Sequence, residues 1–106
     1  RLTVKTSERV VFVNVLDIDT IESAGKYAVV HVGKESHVLR ETMTNLEGRL
    51  PPDRFLRISR SVIVNMDRIQ ELQPMFKGES VILLKNGKRF PTSRSLREIQ
   101  MKMGSE

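Results

Sequence analysis

Four apolar stretches, Val10–Val13, Tyr27–Val32, residues 62–64 and residues 81–84, are each too short for a stable helix and are rich in β-branched side chains. Turn signals stand between them, which restricts the chain to a mainly β architecture of short strands. Lys85-Asn86-Gly87-Lys88 separates residues 81–84 from Arg89-Phe90-Pro91, and Asn-Gly suits the positive φ angles of a two-residue type I′ hairpin. Gly33-Lys34-Glu35, between Tyr27–Val32 and residues 36–39, predicts a second hairpin, and Lys77-Gly78-Glu79 predicts a turn before Val81. The sheets are therefore expected to be antiparallel.

Two segments carry helical spacing instead. Met43, Leu46 and Leu50 fall at i, i+3 and i+7, with Thr42 or Thr44 as cap and Pro51-Pro52 as the stop, which predicts a helix over about 42–50. Leu96, Ile99 and Met103 repeat the spacing over about 94–103, where Ser95 and Glu98 form a capping box and Ser93 is a rival cap. At 106 residues the chain suits one domain, 1–106, with one modest core, and it is expected to be excised from a longer protein.

Charge divides unevenly along the chain. Residues 1–53 carry 7 basic and 8 acidic side chains, a net of −1, whereas residues 54–106 carry 11 and 5, a net of +6. A basic surface attracts phosphate polyanions or anionic lipid heads without naming which. With 0 cysteines, thiolate metal sites, thiol catalysis and disulfides are excluded. The apolar runs fall far short of a bilayer span, so no membrane is expected; the absence of cysteine permits a reducing cytoplasm, the expected location.

Catalysis finds no foothold. His31 and His37 flank the Gly33 turn and could face each other across a hairpin, but spacing places no third metal ligand beside them. Asp17 and Asp19 would share a face of an extended segment and read as solvated surface. No nucleophile elbow or glycine-rich phosphate loop surrounds the serines. The chain is accordingly expected to be no enzyme and to hold no metal or cofactor.

Residues 55–65, Phe-Leu-Arg-Ile-Ser-Arg-Ser-Val-Ile-Val-Asn, are different, because Arg57, Ser59, Arg60 and Ser61 lead directly into an apolar strand. Arginine offers a planar fork of donors to phosphate or to guanine O6 and N7, and serine hydroxyls bond phosphate oxygens. Alone, Arg57 and Arg60 would read as solvated ends of an ordinary strand. The Ser-Arg-Ser pattern returns, however, at Ser93-Arg94-Ser95, at the mouth of the second predicted helix. The phenylalanines sit in apolar contexts that read as core and there is no tryptophan, so stacking on single strands is disfavoured and duplex DNA is the expected partner.

The chain also resembles a known family, the LytTR DNA-binding domain found at the C-terminus of bacterial response regulators such as those of the LytR and AgrA type. The residues that carry this are Asp17-Ile18-Asp19-Thr20-Ile21-Glu22-Ser23 with Gly25-Lys26-Tyr27, then residues 55–65, then Ile69, Asn86-Gly87 and Pro91-Thr92-Ser93-Arg94. The resemblance implies an elongated fold of short antiparallel sheets with two short helices, without a helix-turn-helix. It implies loops that enter successive major grooves at direct-repeat promoter sites, and transcription regulation within a two-component system. Contact positions fall on Lys26, Arg60 and Arg94, accompanied by Tyr27, Arg57, Ser59, Ser61 and Ser93, while Asn65 is expected to close a turn. Lys26 and Ser59 replace the Asn and His common in the family, so no base preference is implied there. Lys85, Lys88 and Arg89 are expected to neutralise phosphates. A missing receiver-like N-terminal domain and side-by-side pairing of two copies on DNA are further expectations. The competing reading is a basic β-rich interaction module that receives an acidic partner segment.

Overall fold

A computed structural model describes residues 1–104 and divides them into two compact units, residues 1–65 and residues 66–106, the last two of which lie outside the description.

The first unit opens with a hairpin of β1 (Leu2–Lys5) and β2 (Val10–Val13). A 3-10 turn over Val15–Asp17 follows, capped by Asn14, whose Oδ1 accepts from the Leu16 amide at 3.1 Å. Then come β3 (Thr20–Ala24), β4 (Tyr27–Val32), β5 (Glu35–Leu39), helix α1 (Met43–Arg49), β6 (Phe55–Ser59) and β7 (Val62–Asn65). The last five strands form one antiparallel sheet in the order β5-β4-β3-β7-β6. Ile21 of β3 lies between Val30 of β4 and Ile63 of β7, so three fully buried side chains cross the sheet in one row. Met43 and Leu46 from α1, its C-cap Leu50, and Leu2, Val4 and Val13 from the hairpin join the same core. Burial of a side chain such as Leu46 stabilises by roughly 1.5–3 kcal/mol.

The helix forms as the spacing predicts. Thr42 is its cap, accepting at Oγ1 from the Asn45 amide at 3.1 Å, and Pro51 follows the C-cap Leu50. Two tight turns depend on glycine. Gly25 (φ 62°) and Gly33 (φ 60°) each take the first central position of a two-residue loop, between Ala24 and Tyr27 and between Val32 and Glu35. Lys26 and Lys34 have no positive φ, so both loops are type II′, whose twist matches the flanking strands.

The second unit contains a 3-10 turn (Met66–Arg68), β8 (Ile69–Pro74), a turn at Phe76–Gly78, β9 (Ser80–Leu84), β10 (Arg89–Thr92) and helix α2 (Leu96–Lys102). Its sheet runs β10-β9-β8, antiparallel, and α2 contacts β8. Ser80, Ile82 and Leu84 alternate inward along β9, and Ile99 of α2 is fully buried. Ser95 is the cap, its Oγ accepting from the Glu98 amide at 3.1 Å, which decides against Ser93.

Several expectations need correction. The loop at Asn86-Gly87 has three residues: the Leu84 amide donates to the Lys88 carbonyl at 2.9 Å, and the Gly87 amide to the Leu84 carbonyl at 2.9 Å. Only Gly87 takes a positive φ (89°), because the Asn86 side chain instead accepts from the Lys88 amide, favouring a type I turn closed by a left-handed glycine. Asp19 is buried rather than solvated, its carboxylate accepting from the Gly33 amide at 2.9 Å. His31 pairs with Ser36 and His37 with Val30, so the two imidazoles point to opposite faces and do not meet. Phe12 and Phe76 are exposed, at 63% and 88%, and only Phe55 among the phenylalanines is buried.

Candidate nucleic-acid interface

β3 and β7 run antiparallel with Glu22 opposite Val62, which brings the end of the β3–β4 hairpin and the end of the β6–β7 hairpin to the same edge of the sheet. The Ser23 amide donates to the Ser61 carbonyl at 2.8 Å and fastens one tip to the other. Lys26 and Tyr27 stand on the first tip, Arg60 and Ser61 on the second, and all four are exposed. Together with Arg57 they line an open cleft of about 510 Å³, completed by Ser23, Gly25 and the start of α1. Among the described residues Arg60 forms no ion pair, so its guanidinium remains available to a ligand.

The β6–β7 tip is unusual for a two-residue connection. The register slips between Arg57 and Ser59, so Ile58 is an extra residue in β6 and is buried. Arg60 and Ser61 have no positive φ and no glycine, so the turn lacks the backbone geometry that normally locks short hairpins. Side chains supply the lock. Ser59 Oγ accepts from the Ser61 amide at 3.2 Å, so the exposed Ser59 at the end of β6 braces the turn. Arg57 donates from Nε to the Ser59 carbonyl (3.3 Å), from Nη2 to the Arg60 carbonyl (2.9 Å), and from Nη1 to Thr44 Oγ1 (3.1 Å) and Glu47 Oε1 (3.3 Å).

Glu41 brings a carboxylate to the lining of the cleft. Its Oε1 accepts from the Asn45 side-chain amide at 2.9 Å and from the Thr42 backbone at 3.0 Å, with Arg49 at 3.8 Å from Oε2. These donors, Asn45 first and then Thr42, hold its carboxyl below the usual glutamate range. Its charge is thus directed at the N-terminus of α1, where it is favourable. Asn65 lies away from any surface: it is buried, and its Nδ2 donates to the carbonyls of Ile18 (2.9 Å) and Leu16 (3.3 Å), so its side chain holds a distant segment instead of closing the turn after Val64.

In the second unit, Lys85 lies in the loop before β10, Lys88 directly follows that loop and Arg89 opens the strand, its Nη2 donating to Gln73 Oε1 at 2.6 Å. Ser93 and Arg94 follow the other end of β10, on the order of 13 Å of strand away. The basic loop and the Ser-Arg pair are therefore separate features. The Arg94 amide donates to Thr92 Oγ1 at 3.1 Å, which fixes its backbone, and its guanidinium pairs with Glu98.

Sequence reasoning missed three residues of the first unit. Thr42 and Thr44 contribute hydroxyls to the cleft, and the exposed Arg40 lines an adjoining hollow of about 300 Å³ with Lys26, Glu41 and Thr42. Arg40 was concealed by the net negative charge of the first half, which says nothing about where single charges gather in space.

The profile of the LytTr DNA-binding domain matches residues 8–103. The chain belongs to the LytTR family of DNA-binding domains. Among related proteins, the sensory transduction protein LytT of Bacillus anthracis is 33% identical over 95 residues, covering 90% of this chain and 39% of that protein. The transcriptional regulatory protein YpdB of Escherichia coli K12 is 34% identical over 89 residues, covering 83% of this chain and 36% of that protein. The LytTr DNA-binding domain of a putative methyl-accepting/DNA response regulator from Bacillus cereus has the same fold, with a TM-score of 0.81 at 24% identity, over 97% of this chain and 95% of that one. The LytTR chain thus spans about two fifths of the length of these curated relatives. Its mainly β fold of small antiparallel sheets with two helices is the one the resemblance implied. None of its helices is long and apolar enough to cross a membrane among the described residues. A family defined by DNA binding also fits the expectation that the chain is no enzyme.

Proposed function

We propose that this LytTR domain binds duplex DNA sequence-specifically in the service of transcription regulation, with the tips of its hairpins entering the major groove. The observation that carries this is the shared edge on which Lys26 and Arg60 stand exposed, on two tips fastened by the Ser23–Ser61 hydrogen bond. Rigid tips that carry cations are suited to base edges, since a bidentate arginine–guanine contact discriminates by about 1–3 kcal/mol. Arg60 and Lys26 read bases from the first unit and Arg94 from the second. Tyr27, Ser61 and Ser93 contact the sugar-phosphate backbone beside them, and Ser59 supports the tip. Lys85, Lys88 and Arg89 neutralise phosphates, which gives affinity with little sequence preference.

On this reading the target is a direct repeat in a promoter, bound by two copies side by side, and a receiver-like domain elsewhere in the protein controls access. The relatives, more than twice as long as this chain and named for sensory transduction and transcription regulation, support such a domain.

Selection of bound sequences from a random duplex library tests the proposal. The expected outcome is a conserved motif, repeated at a spacing of one helical turn, about 10–10.5 base pairs. Recovery of unenriched sequence at every salt concentration, with the same chain retained on an acidic peptide resin, would favour the interaction-module reading instead.

A further inference from the structure

The β6–β7 tip presents a physical problem that its own backbone does not solve. A two-residue connection without a positive φ splays its strands unless something else holds it, and a bulge at Ile58 changes the direction of β6 just before the turn. Arg57 supplies the hold. All three of its guanidinium nitrogens donate within the chain, two to the carbonyls of Ser59 and Arg60 and the third to Thr44 and Glu47 on α1. The side chain is only 23% exposed. A planar, rigid fork satisfies several acceptors at once with little further loss of freedom, which a lysine ammonium on a flexible stem does not do.

We propose that Arg57 is the positioning residue of the interface: it ties the carbonyls that flank Arg60 to the first turns of α1 and thereby sets where the Arg60 guanidinium points. This rests on the reading of Arg60 as a base-contacting residue, and it gives Arg57 a different task from its neighbour three positions on. The helix then belongs to the recognition apparatus as an anchor, although it contributes no base contact of its own. Its two anchoring groups, the Thr44 hydroxyl and the Glu47 carboxylate, are both on exposed residues of α1, placed there to meet Arg57.

The test uses the full chain and two probes, a duplex recovered by selection with the wild type and a random-sequence duplex of equal length. Arg57→Lys keeps the charge and removes the fork, so binding to random duplex stays within about twofold while binding to the selected duplex falls roughly tenfold, within the range of one base contact. In an Arg60→Ala background the same Arg57→Lys change costs less than about twofold further, because the two substitutions disable one contact. Glu47→Gln, which loosens the anchor without touching the turn, moves the amide resonances of Ser59, Arg60 and Ser61 and lowers the selected-to-random ratio in the same sense; it carries the test if Arg57→Lys does not fold. Full multiplication of the Arg57→Lys and Arg60→Ala losses would overturn the positioning role while leaving Arg60 a reader. A Glu47→Gln variant with unchanged selectivity would also overturn it. If Arg60→Ala alone leaves the ratio unchanged, the reading of Arg60 fails, and the role of Arg57 in aiming it fails with it.

Discussion

The guanidinium of Arg94 is paired with the carboxylate of Glu98, one helical turn further along, where the chain enters α2. Both groups are partly solvated, and an exposed pair of this spacing contributes only about 0.3–0.5 kcal/mol. Release of Arg94 to a base edge, worth about 1–3 kcal/mol, therefore outweighs the loss of the pair. Glu98→Gln is expected to shift the melting temperature by no more than about 2 °C, the size such a weak pair allows, and to tighten binding to every duplex by removing a competing negative charge. Arg94→Ala is expected to lower binding to the selected duplex by roughly tenfold. Fluorescence anisotropy on selected and random duplexes checks both, and equal weakening by the two substitutions would make Glu98 a support for Arg94 and not a competitor.

Arg40 stands in the hollow beside Lys26 and no sequence signal marked it. As a phosphate contact it should act on all sequences alike. Arg40→Ala is expected to weaken selected and random duplexes by the same factor and to reduce the slope of log K against log salt by about 1. A salt series of binding isotherms measures this directly, and a loss confined to the selected duplex would instead make Arg40 a reader.

Asn65 holds two carbonyls, of Leu16 and Ile18, from inside the first unit. Asn65→Ala leaves them without that donor and is expected to destabilise by about 1–3 kcal/mol. The selected-to-random ratio of the folded fraction should stay unchanged. Chemical denaturation and binding at low temperature separate the two effects.

Acid should loosen the N-terminus of α1. The Glu41 carboxyl titrates below its ordinary value near 4.5 because Asn45 and Thr42 donate to it, with Arg49 acting in the same direction. A group depressed on folding contributes stability that is present above its unfolded pKa and is lost as pH falls through the folded one. The amide resonances of Thr42 and Asn45 should therefore move with a midpoint below that of an unstructured glutamate, and Glu41→Gln should abolish the movement.

Much of this was legible in the sequence, and the reasons differ from place to place. The helix at 43–49 was visible because its cap, its apolar spacing and its terminating prolines all agree. The Gly33 hairpin was visible because one glycine sets a type II′ turn. The Asn86-Gly87 turn was located but given one residue too few, since Asn86 can supply either a positive φ or a side-chain acceptor and the strand register chooses. Asp19 was misplaced because its partner, the Gly33 amide, is fourteen residues distant and depends on the fold of β4. Phe12 and Phe76 misled because local apolar neighbours do not reveal which side of a two-stranded hairpin or a loop faces water.

The candidate interface followed the same division. Arg60 and Ser61 were marked by the polar run that leads into an apolar strand and Lys26 by the family resemblance alone, but their convergence depends on the β3–β7 pairing, which joins segments about forty residues apart. Arg57 and Arg60 look alike in sequence, three positions apart within residues 55–65. The bulge at Ile58 and the acceptors on α1 make one an internal clamp and leave the other exposed.

Methylation interference on the selected duplex is the most direct examination of the tips as major-groove readers. Guanine N7 lies in the major groove and adenine N3 in the minor groove, so one reagent reports on both. The wild-type chain should be blocked by N7 methylation at specific guanines, and Arg60→Ala should lose sensitivity at one of them while keeping the others. Interference at adenine N3 alone, or an identical pattern for wild type and Arg60→Ala, would contradict the account.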